Sequence, residues 1–182
     1  MQNALWDSYI DWLDEVDIPK LQDEPLSEAG LHRAWFSPTF HPTCCLTVRD
    51  CVDVAELELV SSHTPTEEQT LDHNIRGYPK RRWSERVYLE PSCREVFARA
   101  MADFDWRMLV DASTDSRDGI GCIGQLRTAA GQMHAFLLYN ASCSEAPAQR
   151  AWLERLLDLA LHTLAEPRSH WMLQQVRRYL GK

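Results

Sequence analysis

Hydrophobic residues near the start of the chain recur every three or four positions, from Leu5 to Val16. This spacing places them on one side of an α-helix, so it predicts an amphipathic helix over residues 4–16. The opposite side of that helix carries the carboxylates of Asp7, Asp11 and Asp14. One face is therefore expected to pack on the protein and the other to meet water.

A two-residue period follows, which predicts strands. Four are expected, over residues 32–38, 44–49, 54–60 and 83–89. In the third, leucines alternate with Glu56 and Glu58, a pattern typical of a sheet with one face in water. The first three strands are close together in sequence, so we expect them to pair as an antiparallel meander.

The second half of the chain predicts further helices and a hairpin. Ser92 and Glu95 have the spacing of a capping box, which predicts that a helix begins there. Apolar patterns predict a short buried run over 108–110, a hairpin from 121–127 and 133–139, and two C-terminal helices, one around Trp152 and one after Pro167. This order predicts a single α+β domain over residues 1–182, a mostly antiparallel sheet on which an N-terminal, a middle and two C-terminal helices pack.

The formal net charge of -8 is distributed unevenly. Residues 1–28 carry -7 and residues 53–72 carry -6, so the rest of the chain is positive by 5. Segregated acidic surfaces attract a basic partner over long range, although they also keep a protein soluble. Tryptophan beside surface charge is typical of interfaces. The residues expected to bind such a partner are Asp7, Asp11, Trp12, Asp14, Glu56, Glu58, Glu67 and Glu68.

The same charge argues against nucleic acid as a partner. Residues 76–86 are basic and include two aromatic residues, a composition that suits single-stranded nucleic acid, but a net charge of -8 repels phosphate. These cations are equally able to contact the chain's own acidic segments. No apolar run approaches the roughly 20 residues of a membrane helix, and the first residues lack the basic part of a secretory signal. A cytoplasmic protein without membrane contact is expected.

Residues 119–124, Gly-Ile-Gly-Cys-Ile-Gly, match the G-x-G-x-x-G pattern of dinucleotide sites. That motif holds pyrophosphate where a strand leads directly into the first glycine and a helix opens after the last. Here a polar stretch precedes Gly119 and no crossover helix fits before Met133. A turn followed by a glycine-rich, bulged strand is therefore the preferred interpretation, and no cofactor is expected.

The chain has 6 cysteines, which raises the question of a metal site. His41 and Cys44 have ligand-like spacing, and other histidines and cysteines would have to complete a zinc site. No C-x-x-C pair is present, and Cys44 and Cys45 are expected to point to opposite faces of a strand as ordinary structural thiols. Since the sequence also contains no strong catalytic motif, neither metal binding nor catalysis is expected.

The run from Leu31 to Arg49 contains an aromatic strand, a Thr-Phe-His-Pro turn and a second strand that ends in arginine. Asp118–Gly119, Gly131, Asn140, Arg150 and a leucine-rich helix follow in that order. This arrangement resembles small uncharacterised bacterial α+β proteins that look like immunity proteins of interbacterial (polymorphic) toxin systems. The resemblance implies a small, acidic, cytoplasmic binder of a toxin domain and assigns no functional residue.

Together these observations favour a non-catalytic protein-binding module. Its most concrete form is an immunity protein whose acidic surfaces occlude the basic active-site cleft of a toxin. Two alternatives stay open. One is a small enzyme or nucleotide-binding protein that uses Gly119–Gly124 and nearby His134. The other is a secretion-system adaptor or chaperone that binds a non-toxic partner through the same faces.

Overall fold

The computed structural model describes residues 2–24, 30–39, 41–51, 53–62, 82–102, 104–113, 119–140 and 145–181. In these ranges the α-helices are α1 (Gln2–Glu15), α2 (Pro91–Ala102), α3 (Pro147–Thr163) and α4 (Pro167–Leu180), with a short 3-10 helix at Trp106–Met108. None of them is long and apolar enough to cross a lipid bilayer. The predicted N-terminal helix is confirmed as α1, which ends where Asp17 takes a positive φ of 55°.

The predicted capping box at the start of α2 is wrong. The helix begins at Pro91, so Ser92 lies inside its first turn. The backbone nitrogen of Arg94 donates to the carbonyl of Glu90 at 2.9 Å, which places Glu90 directly before the helix. Proline suits the first position because its φ is already helical and its nitrogen needs no hydrogen-bond acceptor, and it therefore begins the helix earlier than the serine would.

Within the described residues, the strands are β1 (Gly30–Pro38), β2 (Cys44–Asp50), β3 (Ala55–Ser61), β4 (Trp83–Tyr88), β5 (Ala112–Ser113), β6 (Ile120–Thr128) and β7 (Met133–Tyr139). They form one sheet in the order β4-β3-β2-β1-β6-β7-β5. Neighbouring strands are antiparallel except β5, which runs parallel to β7. The predicted meander of β1, β2 and β3, the hairpin of β6 and β7, and the mostly antiparallel α+β class are confirmed.

The sheet separates two hydrophobic cores. Alternate residues of a strand point to opposite faces, so in β1 Phe36 joins one core and Trp35 the other. Helices α2, α3 and α4 cover the first face, called here the three-helix face. Helix α1 covers part of the second, the α1 face, where it packs on Trp35 and Ile123. Cys44 and Cys45 divide between the two cores as predicted.

In the G-x-G-x-x-G pattern, Gly119 lies directly before β6 and Gly121 and Gly124 lie within it, so the pattern is not a turn between a strand and a helix. The register of β6 advances without interruption against both β1 and β7, so the predicted bulge is wrong. A Cβ atom on Gly124 would lie 2.2 Å from the ring of Phe136, and one on Gly121 would lie 2.9 Å from Leu5. These glycines therefore make room for packed side chains, because any larger residue would collide with them.

The short run over 108–110 is only partly buried. Leu109 is fully buried, whereas Met108 and Val110 are 61% and 59% exposed. The 3-10 helix ends at Met108, and the carbonyl of Leu109 lies 2.6 Å from Nε2 of His134 on β7. The prediction of a buried run is thus correct for its central residue alone.

Strand β4 is fixed to the helical layer by the carboxylate of Glu85. One oxygen accepts hydrogen bonds from the backbone nitrogens of Ala165 at 2.8 Å and Glu166 at 3.1 Å, and the other binds the hydroxyl of Ser169. A carboxylate at this position satisfies backbone donors in the turn that leads into α4. Because alternate side chains point to opposite faces, this contact directs Arg86 to the α1 face.

Candidate interaction site: the acidic helix and the arginine–glutamate network

The outer side of α1 presents a row of carboxylates, called here the acidic face, formed by Asp7, Asp11 and Asp14. The side chains follow one another at intervals of one helical turn, and all three residues are exposed. Within the part of the chain that the structure describes, Asp7 and Asp11 have no ion-pair partner. Asp14 lies 3.6 Å from Nζ of Lys20 and its side chain is still 63% exposed. The acidic face therefore directs its charge to solvent.

The inner side of α1 packs against the sheet. Tyr9 and Leu13 are fully buried and Trp12 is 6% exposed. The rings of Trp12 and Trp35 are 6.4 Å apart, and the hydroxyl of Tyr9 donates to Gln125 on β6 at 2.7 Å. Trp12, expected among the partner-binding residues, is instead a core residue, because its indole lies on the side of the helix that faces β1. This packing holds the acidic face in one orientation.

Glu24 ties the connector that follows α1 to the sheet. Its carboxylate forms an ion pair with Arg33, whose side chain is fully buried, and a second with Nη2 of Arg49 at 2.9 Å. Arg33 also donates to the carbonyl of Pro19 at 2.8 Å, and Arg127 donates to the carbonyl of Glu24 at 2.9 Å. The buried guanidinium of Arg33 is thus neutralised by an acidic residue from the connector, as buried charges require.

Glu56 and Glu58 belong to the same arginine–glutamate network. Glu58 is 3% exposed, and it accepts hydrogen bonds from Arg49 at 2.9 Å, Arg82 at 3.3 Å and Arg86 at 2.9 Å. Arg49 also donates to Glu56 at 3.1 Å. The prediction that the glutamates of β3 face water is therefore wrong for Glu58, because arginines cover this part of the α1 face.

The arginines hold Glu58 in its charged form. Burial by itself raises the pKa of a carboxylate, but hydrogen bonds and positive charge from Arg86 and Arg49 outweigh it, so the pKa of Glu58 lies below its usual range. For Arg49, burial lowers the pKa, and the carboxylates of Glu24 and Glu58 more than reverse this effect. These groups are accordingly ionised at neutral pH.

A cavity of about 420 Å³ lies over the network. Among the described residues, its walls include four arginines and four acidic residues, which gives a formal charge of zero. Arg82 and Arg86 are 37% and 54% exposed at their side chains, whereas Arg49 is 19% exposed. Because acids and arginines pair with one another across this cavity, it offers no acidic docking surface.

The residues expected to bind a partner therefore separate into groups. Asp7, Asp11 and Asp14 lie together and exposed on α1, whereas Glu56 and Glu58 lie under arginines on β3. Glu67 and Glu68 lie outside the described residues. Of the alternatives for the basic segment, contact with the chain's own acids is observed for Arg82 and Arg86, which both pair with Glu58.

Neither His134 nor the glycine pattern lies at a turn between a strand and a helix, where the dinucleotide motif would place its ligand. Nε2 of His134 lies 2.6 Å from the carbonyl of Leu109, and its ring packs on Trp106 at 5.4 Å between centroids. The glycines point toward packed side chains. His134 thus connects β7 to the segment that contains the 3-10 helix.

His41 and Cys44 also have separate surroundings. Nδ1 of His41 lies 3.2 Å from the hydroxyl of Tyr179 on α4, whereas Cys44 is buried in the core of the three-helix face. In the described ranges, no group of three potential ligand residues lies close enough to hold a metal ion. The two residues are thus close in sequence but have different structural roles: His41 contacts α4, and Cys44 packs in the core.

Glu24 and Arg33 carry much of the network and were not anticipated from the sequence. A signal was present, because β1, β2 and β6 each carry one arginine between apolar residues, as β3 carries two glutamates. Which arginine meets which glutamate depends on the register of the strands, and the register of β2 and β3 places Arg49 directly opposite Glu56. Opposite charges at such cross-strand positions attract, so the register converts two alternating patterns into one network.

Comparisons of the chain with protein-family models, with curated proteins and with solved structures each found no match. The inferences about function that follow are therefore drawn from the sequence and geometry of this chain.

Proposed function

We propose that the chain is a non-catalytic protein-binding module, and most concretely an immunity protein that neutralises a cognate bacterial toxin by occluding its basic active-site cleft. The observation that supports this proposal is the acidic face, in which Asp7, Asp11 and Asp14 project from a helix whose other side is fixed in a core. A helix that is already held in place loses little conformational freedom on docking. Its exposed carboxylates attract a basic partner before contact.

The proposed docking surface is narrower than the two acidic segments of the sequence. Glu56 and Glu58 are left out of it because arginines neutralise them and Glu58 is buried. The acidic face of α1 is the surface that enters the basic cleft. A toxin that acts on nucleic acid or a nucleotide would carry such a cleft for its anionic substrate.

The test uses the protein encoded immediately upstream of this chain, where the proposal places the toxin domain. Association is measured by stopped flow or surface plasmon resonance at low and high salt. We expect rapid association that slows with salt, because exposed charges are screened. Replacing all three acids of the acidic face (Asp7→Asn, Asp11→Asn and Asp14→Asn) is expected to slow association about tenfold at low salt.

A matched control separates the acidic face from net charge. Glu95→Gln, Glu154→Gln and Asp158→Asn remove the same charge from α2 and α3, on the opposite side of the sheet, and are expected to leave association nearly unchanged. Equal slowing in both triple variants would show that α1 is not the docking element. Absence of a complex in gel filtration would defeat the proposal. A complex that fails to rescue toxin-poisoned cells would favour an adaptor or chaperone instead.

A further inference from the structure

A second cavity, of about 270 Å³, lies on the three-helix face between the sheet, α2 and the segment around the 3-10 helix. Most of its wall is aromatic and apolar, formed by Phe97, Met101, Phe104, Trp106 and Trp152, with His32 of β1 at its base. Small-molecule sites are commonly concave and apolar, with a few polar groups that orient the ligand. This cavity has that composition and lies on the other side of the sheet from the acidic face.

His32 is the polar group whose bonding is incomplete. Its ring meets Phe97 edge-to-face at 5.3 Å and lies 6.1 Å from Trp152. Within the described residues the imidazole makes no hydrogen bond, and Nδ1 is buried without a partner. Because Nδ1 is sealed from solvent, only Nε2 is available to a molecule in the cavity. Nε2 has no hydrogen-bond partner among the described residues either, so a molecule in the cavity can supply one.

The electrostatics of the cavity favour a neutral occupant. Burial lowers the pKa of His32 to about 4, so the imidazole is uncharged at neutral pH and the same surroundings disfavour any other cation. The guanidinium groups of Arg107 and Arg155 already lie over Trp106 and Phe104, at 5.6 Å and 4.9 Å from the ring centroids. An additional cation would therefore meet both desolvation and repulsion.

An anion is not favoured either. Arg127 also lines the cavity, but its guanidinium already donates to the carbonyls of Leu21 and Glu24 in the connector. Asp50 lines the cavity too and would repel an anion, and its carboxylate is paired with Nε of Arg94 at 2.7 Å. The flat rings leave space for a flat molecule, since aromatic groups pack at edge-to-face or offset geometry. We propose that this cavity binds a small, neutral, planar heteroaromatic molecule that packs among the rings and forms a hydrogen bond with Nε2 of His32.

The experiment compares three probes that share one ring system and differ in charge: indole, tryptamine and indole-3-acetate. Binding to the full chain is followed by NMR, through the methyl resonance of Met101 and the ring resonances of His32. Indole is expected to bind in the millimolar range and to shift both sets of resonances. Tryptamine and indole-3-acetate are expected to bind at least about tenfold more weakly, because each brings a full charge into an apolar cavity.

Two variants and a control connect binding to this cavity. His32→Phe keeps a flat ring but removes Nε2, and is expected to weaken indole binding about fivefold, the worth of one ordinary hydrogen bond. Ala98→Leu, at an exposed lining position on α2, is expected to abolish binding by filling the cavity mouth. The control His162→Phe, at an exposed position on α3, is expected to leave the affinity of indole unchanged.

Three results would overturn the proposal. They are no indole binding at millimolar concentration, equal or tighter binding of a charged probe, and resonance shifts that leave Met101 and His32 unaffected. Retention of full affinity in folded Ala98→Leu protein would likewise place indole elsewhere. None of these outcomes bears on the toxin complex, which is tested separately at α1.

Discussion

The acids of α1 and the acids of the arginine–glutamate network carry the same formal charge in opposite surroundings. Asp7 and Asp11 lie on an exposed helix face without ion-pair partners among the described residues. Glu24 and Glu58 are 5% and 3% exposed and contact several guanidinium groups. The first group acts at a distance on whatever approaches, whereas the second stabilises the position of a connector and an edge strand.

This difference shows that the number of acidic residues in a segment of the sequence does not give the charge that the segment presents at the protein surface. Removing an exposed acid changes the long-range field but leaves no group unsatisfied. Removing a buried acid leaves cations without compensation in a poorly solvated place. The two groups should therefore separate in mutational tests, with stability responding to one and association to the other.

The largest effect is expected for Glu24→Gln. The substitution leaves Arg33, whose side chain is fully buried, without its carboxylate. We expect the free energy of unfolding to fall by about 4 kcal/mol, the usual consequence of breaking a buried ion pair on one side. Urea unfolding followed by circular dichroism measures it. Asp23→Asn, at the exposed neighbouring position, is the control. A loss no greater than that of the control would mean that the connector is not held by Glu24.

Glu58→Gln is expected to cost less, about 2 kcal/mol, although Glu58 contacts three arginines. The reason is that Arg82 and Arg86 are partly exposed and regain water when the carboxylate is lost. The same unfolding measurement tests this order. If Glu58→Gln lowers the free energy of unfolding more than Glu24→Gln does, solvent access to Arg82 and Arg86 does not limit the destabilisation.

Acid is expected to weaken the network through Glu58. The pKa of Glu58 is lowered in the folded protein by Arg86 and Arg49, which outweigh burial. Its contribution to stability is therefore present above its unfolded pKa, about 4.3, and is lost as pH falls through the lower folded value. We expect the unfolding free energy of wild type to decline more steeply below about pH 4 than that of Glu58→Gln. Parallel curves would contradict this expectation.

The smallest effect on stability is expected for the triple variant Asp7→Asn, Asp11→Asn and Asp14→Asn. Exposed substitutions of this kind change unfolding free energy by about 0.5 kcal/mol or less, and relief of like-charge repulsion along the helix offsets any loss. Thermal and urea unfolding check it. A large destabilisation would show that the acidic face is structural after all, and would remove the contrast with the network.

Much of the fold follows from local patterns. The inner stripe of α1, the alternation in β1 to β3 and the hairpin around Gly131 are each determined by nearby residues. Even the burial of Trp12 has a local signal, because it stands three residues after Tyr9 and thus on the same side of the helix. The start of α2 differs from the prediction because Pro91, which lies before the serine and glutamate pair, already begins the helix.

The network could not be predicted in the same way. Its contacts join a connector, the four strands β1 to β4, and β6, and they depend on which residues become opposite in the sheet. Alternating glutamates on β3 could face water or could be covered by arginines. Which of the two occurs depends on the residues that the neighbouring strands and the connector bring beside them. The cavity at His32 is likewise a product of several elements, α2 and α3 among them, meeting one strand.

The hydrogen bond between Tyr9 and Gln125 joins residues separated by 116 positions. During synthesis, α1 therefore leaves the ribosome well before β6, the strand that completes its binding surface. Contacts of such long sequence separation form late, so the aromatic side of the nascent helix meets water or chaperones while the sheet is still being made. The carboxylates on the other side would then serve the protein before any partner is present, by keeping an unpacked helix in solution until its place in the fold exists.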